Sequence, residues 1–332
     1  MDEYTAETFQ LLGNLFRDRG EVDRALRVHQ NVIARSNLNA QQTQKAMYAL
    51  GKDFFAAGML DRAESVFQEL LENKSNKWVS KASICSSLRT IYEQTQEWEK
   101  AIEATSCVKK NQKKDEENTQ INSQALISHY YCELADEALH QGKLHDVDGY
   151  IGAAKKSYKN STRLMTLLGD MAFHQKHYKQ ALQHYLNAVK HDSRLLSMLF
   201  EKLEESSSSA GEIKKLQKEL FTLYEKNRDR TVFEIIVSMA KKYGSSSELD
   251  ELINTELSSK KLNIESIYKV TEYIQTDSSG IDCENGLRLV NKSLENYLQG
   301  VPAFRCEHCG YRMHNYLWRC PACHHWDSID HA

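Results

Sequence analysis

The feature that most constrains the fold of this chain is a spacing of small and large apolar residues that occurs more than once. The first copy has the pattern Leu12-Gly13-x-x-Phe16-x-x-x-Gly20-x-x-x-x-Ala25-x-x-x-His29. A second copy is Leu50-Gly51-x-x-Phe54-x-x-x-Gly58-x-x-x-x-Ala63-x-x-x-Phe67, and a later one keeps Leu168-Gly169, Ala181 and Tyr185. This spacing predicts pairs of amphipathic helices joined by short turns, with small residues where the two helices of a pair cross. We expect Gly20 and Gly58 at the turns, in the left-handed conformation that ends a helix.

The pattern resembles the tetratricopeptide repeat, a helix pair that buries its apolar face against neighbouring pairs. We expect clear repeats at residues 6–39, 44–77, 82–115 and 161–194. Helical periodicity continues beyond them and is interpreted as degenerate repeats, at 195–203, 213–224, 232–243, 249–257, 264–274 and 287–298. The sequence therefore predicts an all-α fold, in which a superhelical solenoid over residues 1–300 is followed by a small module at 301–332.

Composition agrees with a helical protein and excludes several functional classes. The 332 residues include two prolines and fourteen glycines, and no segment alternates as a β-strand does. The 43 basic and 46 acidic side chains are interspersed, so we expect no nucleic-acid partner. We find no signal peptide and no run of the roughly 18 apolar residues that a membrane span needs. Cys85, Cys107, Cys132 and Cys283 lie singly in helical pattern, which indicates buried, reduced thiols and a cytoplasmic protein.

The C-terminal module carries two Cys-x-x-Cys pairs, Cys306 with Cys309 and Cys320 with Cys323, separated by ten residues. Two such turns can face each other and place four thiolates at the corners of a tetrahedron, and Gly310 can take the positive φ that the first turn needs. In a chain without a secretory signal, this spacing favours a metal over two disulfides. Four cysteines leave no open coordination position, so we expect one structural ion rather than a hydrolytic metal site. Tetrahedral sulfur suits both zinc and iron, of which we favour zinc.

No catalytic motif is present, so we predict that the chain is not an enzyme and assign no catalytic residue. Gly-rich nucleotide loops, the Gly-x-Ser-x-Gly elbow and the His-Glu-x-x-His motif are all missing from the sequence. A helical-repeat solenoid instead offers a concave face, lined by the first helix of each repeat. On that face we expect Arg17, Lys52 and Phe55 to contact partner proteins, since these are residue types that anchor interfaces.

Three stretches together resemble the lipopolysaccharide assembly protein B family. They are Leu12 to Ala25, Tyr131 to Ala135, and the two cysteine pairs with Gly310 and Trp318. The resemblance implies a tetratricopeptide array with a rubredoxin-like, zinc-ribbon module on the cytoplasmic face of the Gram-negative inner membrane. It implies an adaptor that brings the deacetylase LpxC to the membrane protease FtsH, and membrane attachment through an N-terminal anchor that is absent from this chain. The ten residues between the cysteine pairs are fewer than in electron-carrying rubredoxins, which disfavours a redox role.

Two other functions stay open at this point. One is an iron-dependent redox or metal-sensing protein, which the metal content of the purified chain would separate from a zinc scaffold. The other is a peptide-binding co-chaperone. Whichever holds, the module is too short to bury a stable core alone, so we expect it to pack against the helices through Tyr316, Trp318 and Trp326.

Overall fold

A computed structural model describes most of the chain. The described residues are 3–35, 38–111, 123–243, 264–277 and 301–331, with the single positions 252, 255, 256, 291, 294, 295 and 298. The following predicted features lie wholly or mainly outside the described residues: the helices at 249–257 and 287–298, the end of the repeat at 82–115, Cys283, and the boundary at residue 300. In the described part, no helix combines the length and the apolar character needed to cross a membrane.

The chain divides into two compact units, Met1–Leu164 and Met165–Ala332. The first unit is built from helices that pack in consecutive pairs. They are α1 (Glu3–Asp18), α2 (Val22–Ile33), α3 (Ala40–Ala56), α4 (Leu60–Glu72), α5 (Lys81–Thr95), α6 (Trp98–Asn111), α7 (Ser123–His140) and α8 (Leu144–Ser157). This arrangement confirms the predicted helix-pair repeats.

The turns within the first two repeats follow the sequence prediction. Gly20 and Gly58 have φ values of 81° and 73°, and each ends the first helix of its pair. The residue after each glycine donates its N–H back across the turn, from Glu21 to the Phe16 carbonyl at 2.8 Å and from Met59 to the Phe54 carbonyl at 2.9 Å. These hydrogen bonds satisfy carbonyls that the end of a helix would otherwise leave open, and they direct the chain into the second helix.

The Leu-Gly positions of three repeats, at Gly13, Gly51 and Gly169, are points of close helix contact. A Cβ atom added at Gly51 would lie 2.7 Å from the ring of Phe67, and one at Gly13 would lie 2.5 Å from the ring of His29. Gly169 meets the ring of Tyr185 in the same way. The ring occupies the space that a side chain would need, so glycine sets how closely the two helices approach.

The second unit contains further helices and a small sheet. The helices are α9 (Thr162–His174), which begins just before it, α10 (Tyr178–His191), α11 (Leu196–Ser209), α12 (Ile213–Asn227), α13 (Arg230–Tyr243) and α14 (Ile264–Asp277), with a 3-10 turn at Ser193–Leu195. The strands are β1 (Phe304–Cys306), β2 (Arg312–Met313) and β3 (Ile329–His331), antiparallel in the order β2-β1-β3. Phe304 pairs with Met313 on one side and with His331 on the other.

The C-terminal module shares its core with the helices of this unit. One hydrophobic cluster joins helical side chains such as Leu196, Leu199 and Phe233 to buried residues of the module, which are Phe304, Cys306, Met313, Tyr316, Cys320 and Ile329. Polar contacts cross the same boundary, among them Ser197 Oγ to His331 Nε2 at 3.4 Å and Arg194 to Glu307 at 3.8 Å. The module is therefore part of the folded unit.

One prediction about the isolated cysteines is wrong. Cys85 on α5 and Cys107 on α6 form a disulfide, with Cα atoms 6.0 Å apart. The two residues are 22 positions apart, so they come together only because α5 and α6 pack face to face as a pair. Cys132 is buried and free, as expected.

Candidate metal centre

The two Cys-x-x-Cys turns have the same backbone geometry. In the first, the Gly310 N–H donates to the Cys306 carbonyl at 2.8 Å, and Gly310 has the predicted positive φ of 75°. In the second, the His324 N–H donates to the Cys320 carbonyl at 2.9 Å, and His324 takes the same left-handed conformation with φ 60°. A sequence search for glycine finds the first turn and misses the second, because a histidine occupies the equivalent position.

The turns bring four sulfur atoms together. The Sγ atoms of Cys306, Cys309, Cys320 and Cys323 all lie within 4.8 Å of one another. Cys306 is 3.6 Å from Cys323, and Cys309 is 3.7 Å from Cys320. A regular tetrahedron with metal–sulfur bonds of about 2.3 Å has sulfur–sulfur edges of about 3.8 Å. The donor set therefore fits one ion, and four thiolates leave no position for a substrate.

The thiols differ in their environments. Burial acts to raise the pKa of Cys306, but hydrogen bonds from Ser328 and from the backbone N–H groups of Cys309 and His308 outweigh it and lower the pKa to about 6. Burial and hydrogen bonding with the neighbouring thiols raise the pKa of Cys323 to about 12. Because a thiolate is the ligand form, a bound cation would favour ionisation of all four groups.

Of the three aromatic residues predicted to dock the module, Tyr316 and Trp318 share one environment and Trp326 occupies another. Tyr316 is 9% exposed and belongs to the cluster shared with the helices, where its ring meets Phe304 edge to face. Trp318 is partly buried against the same cluster and contacts the ring of Tyr316. Trp326 pairs with Arg319 through a β-bridge, and the guanidinium of Arg319 lies 5.9 Å from its ring centre.

The residues predicted for partner binding lie together in the first unit. Arg17, Lys52 and Phe55 line one pocket of about 280 Å³, with Phe67, Ser87 and Thr90 on its other walls. An adjoining pocket of about 300 Å³ is lined by Lys45, Tyr48 and Trp78. These residues come mainly from α1, α3 and α5, the first helices of successive pairs. Trp78, which is 53% exposed, was not anticipated, because it stands in the loop before α5.

Arg17 is engaged within the protein. Its guanidinium donates to Asp53 at 2.9 Å and to Asn14 at 2.9 Å, and only 16% of its side chain is exposed. Asp53 is fully buried and also contacts His29, so it joins α1, α2 and α3. Lys52, by contrast, is exposed and holds its ammonium group 4.8 Å from the ring centre of Tyr48. Of the two cations, Lys52 is the one that solvent and a partner can reach.

Two protein families match parts of the chain. The family described as Rubredoxin metal binding domain matches residues 304–331, and the Tetratricopeptide repeat family matches residues 8–41. These matches cover the cysteine module and the first helix pair. They confirm that the two sequence patterns were assigned to the right kinds of module.

Relatives similar to the whole chain carry one name. Lipopolysaccharide assembly protein B of Escherichia coli strain K12 is 27% identical over 328 residues, which are 99% of this chain and 81% of that protein. The protein of the same name from Haemophilus influenzae is 26% identical over 96% of this chain and 77% of its own length. Among solved structures, a tetratricopeptide repeat protein from Parabacteroides merdae aligns with 88% of this chain and all of its own at 11% identity and a TM-score of 0.40. The predicted resemblance is confirmed.

Proposed function

We propose that this chain is a non-catalytic adaptor that regulates lipopolysaccharide synthesis by bringing the deacetylase LpxC to the membrane protease FtsH. Its similarity to Lipopolysaccharide assembly protein B over 99% of the chain supports the process, and its helix-pair repeats support protein partners. By the same resemblance, we place it on the cytoplasmic face of the inner membrane.

The observation that carries the adaptor role is the core shared by the metal module and the helices. A closed four-cysteine site, built into the same hydrophobic cluster as Leu196 and Phe233, is suited to holding surfaces in place. The bound ion would supply cross-linking of the two turns, and the cysteines would hold it. We propose zinc for this ion, because tetrahedral thiolate sites without an open position suit structural zinc.

The competing redox function makes a different prediction for the same site. An iron centre that cycles between oxidation states would contain iron in the protein as purified, with visible absorption that changes on reduction. A zinc centre is colourless and does not respond to a reductant. Elemental analysis with an absorption spectrum decides between the two functions.

For the partner-binding face, we propose Lys52 and Phe55 as the contact residues, beside Arg17. Phe55 is half-buried in the same pocket as Lys52, and the aromatic rings of Tyr48 and Trp78 extend that surface. A cationic and aromatic surface favours a partner segment that carries carboxylates. Arg17 fixes the position of α1 against α3 through Asp53.

The test is reconstituted degradation. Purified LpxC, FtsH and ATP are combined with and without the metal-loaded chain, and the half-life of LpxC is measured. We expect the chain to shorten it only when FtsH is present, and Lys52→Glu with Phe55→Ser to weaken the effect. Lys74→Glu is the matched control, because Lys74 is an exposed lysine on the loop between α4 and α5 outside both pockets. Loss of LpxC without FtsH would contradict a non-catalytic role, and no effect of the chain would contradict the adaptor role.

A further inference from the structure

A second surface, in the second unit, differs in character from the pocket at Lys52. It is a groove of about 800 Å³ between the helices and the C-terminal module, which we call the acidic groove. Helices α11, α13 and α14 form one side, and the segment 301–303 with β1, His314 and Tyr316 forms the other. Its volume is within the range of roughly 300–1,000 Å³ typical of ligand sites in proteins.

The acidic groove contains apolar side chains that the described part of the chain leaves exposed. Ile264 and Ile267 on α14 are 45% and 39% exposed, and Val301 at the start of the module is 44% exposed. All three line the groove, together with Met198 and Phe304. Single exposed apolar residues are ordinary on a protein surface, but a contiguous group from different elements around one concavity is characteristic of an interaction site.

The charges around these apolar residues are mainly negative. Among the residues that the structure describes, Glu201, Glu234 and Glu265 line the groove, and Arg230 is the one lysine or arginine that lines it with them. Arg230 lies 3.5 Å from Glu234 and 3.9 Å from Glu265, so one cation is shared by two carboxylates. Glu201 is exposed and forms no ion pair with any residue that the structure describes. With the histidines neutral and all three carboxylates ionised, these described lining residues have a net charge of about −2, which a cationic ligand would balance.

Glu234 shows the same imbalance at the bottom of the groove. It is 8% exposed, and the Ser266 hydroxyl donates to it at 2.7 Å. Burial, and to a lesser extent the negative charge of Glu265, raise the pKa of Glu234 to about 7 in spite of Arg230. A carboxylate in this position is incompletely compensated, and a second cation nearby would stabilise its charged form.

We propose that the acidic groove binds a segment of a partner protein in which apolar side chains are interspersed with Lys or Arg. The apolar residues would pack on Ile264, Ile267 and Val301, and a basic residue would reach Glu201 or Glu234. The negative charge opposes nucleic acids and anionic lipid surfaces, whereas it complements a basic peptide. This inference rests on the proposed adaptor function and names the chemistry of one partner. It assigns to the module a direct part in binding, since Phe304 and Tyr316 belong to the groove wall.

The test uses labelled peptides of about twelve residues, with fluorescence anisotropy measured on the full metal-loaded chain. One peptide alternates Leu with Lys, a second alternates Leu with Glu, and a third alternates Leu with Ser. We expect the Lys peptide to bind tightest and its affinity to fall as salt is added. Equal binding of the Lys and Glu peptides would overturn the proposal.

Two substitutions and two matched controls locate the site. Ile267→Ser and Glu201→Lys should each weaken binding of the Lys peptide by roughly tenfold. Both positions are exposed, so the fold should tolerate the changes. The matched controls are Leu317→Ser, which removes another exposed apolar residue of this unit, and Glu205→Lys, which reverses another exposed charge of α11. Neither residue lines the groove, so neither change should alter the affinity for the Lys peptide. If E205K weakens binding as much as E201K does, the peptide responds to net charge alone and the assignment of the groove is wrong.

A charge reversal distinguishes binding in the groove from attraction of the peptide to the net charge of the protein. E201K should improve binding of the Glu peptide relative to the wild-type chain, and E205K should leave it unchanged. Peptide binding and LpxC turnover are measured separately, so the two proposals fail separately. If LpxC turnover depends on the chain but the Lys peptide does not bind, the acidic groove is not a docking site. If the Lys peptide binds as expected but the chain does not affect LpxC turnover, the groove binds a different partner.

Discussion

Replacing a glycine by alanine in the middle of a helix usually stabilises a protein. In this chain, the same replacement at two glycines should change the free energy of unfolding in opposite directions. Gly152 lies in α8, where an added Cβ would meet nothing within 4 Å. Gly51 lies in α3, where a Cβ would sit 2.7 Å from Cε1 and 2.9 Å from Cζ of Phe67. Phe67 is 1% exposed, so its ring cannot move aside into solvent.

The expected magnitudes follow from two opposing terms. Alanine gains about 0.5–1 kcal/mol over glycine in a helix interior, because the unfolded chain loses conformational freedom. Inserting a methyl group into a packed contact costs about 1–3 kcal/mol. Gly152→Ala has the first term alone, so its free energy of unfolding should rise by about 0.5–1 kcal/mol. Gly51→Ala has both terms, and its free energy of unfolding should fall by up to about 2 kcal/mol.

Amide hydrogen exchange is the suitable assay, because it measures local opening of the helix pair that carries each substitution, and long repeat arrays do not unfold as one two-state unit. A double-mutant cycle tests the cause. In a chain with Phe67→Leu, the ring atoms that oppose the new Cβ are gone, so Gly51→Ala should become neutral or stabilising. If G51A stabilises the wild-type chain as much as G152A does, close packing does not explain the glycine of the repeat.

Two further predictions concern the second unit. Cys320→Ser should release the metal, because binding energies of roughly 10–16 kcal/mol hold such modules together. Hydrogen exchange should then become faster at the amides of 304–331 and of helices α10 to α13. The control is Cys132→Ala, a change at a buried cysteine outside the site, which should keep one ion per chain by elemental analysis. Glu234 has a pKa raised from 4.5 to about 7, so the folded state binds more protons than the unfolded state in that window, and the free energy of unfolding should fall as pH rises from about 4.5 to 7. Amide hydrogen exchange of α13, corrected for the intrinsic exchange rate at each pH value, should show this fall by about 1–3 kcal/mol and its loss in Glu234→Gln, whereas an equal pH dependence in both proteins would contradict it.

The parts of this structure that could be predicted from sequence depend on local spacing. Within a repeat, Gly51 and Phe67 are in contact across one turn. Their separation in the sequence recurs from repeat to repeat, so the contact can be predicted from that spacing. The Cys-x-x-Cys turns are local in the same sense, and each can be recognised from its own residues. Helices α11 to α13 lack the Leu-Gly signature, yet their apolar periodicity of 3.6 residues was enough to identify them as helices.

Contacts between distant segments could not be predicted in this way. Nothing in the spacing of Leu196 and Ile329 indicates that they share one core, and the pairing of Cys85 with Cys107 depends on which faces of α5 and α6 meet. Arg17 was assigned to an open face from its position on α1. The prediction could not include Asp53, which belongs to the next repeat and engages the guanidinium. In each case the missing information is the identity of a neighbour that sequence distance does not specify.

The short strand β1 links the metal centre to the acidic groove. Phe304 and Cys306 are both buried and Arg305 is exposed, as expected for alternate residues of a strand. Cys306 belongs to the four-cysteine cluster that could hold a metal ion, and Phe304, on the same face of the strand, lines the groove. Because two residues of one strand cannot move independently, an ion that fixes Cys306 also fixes the position of Phe304 in the groove wall. In the proposed adaptor, a structural metal would hold in place a binding surface that a module of this size is too small to maintain by its own apolar packing.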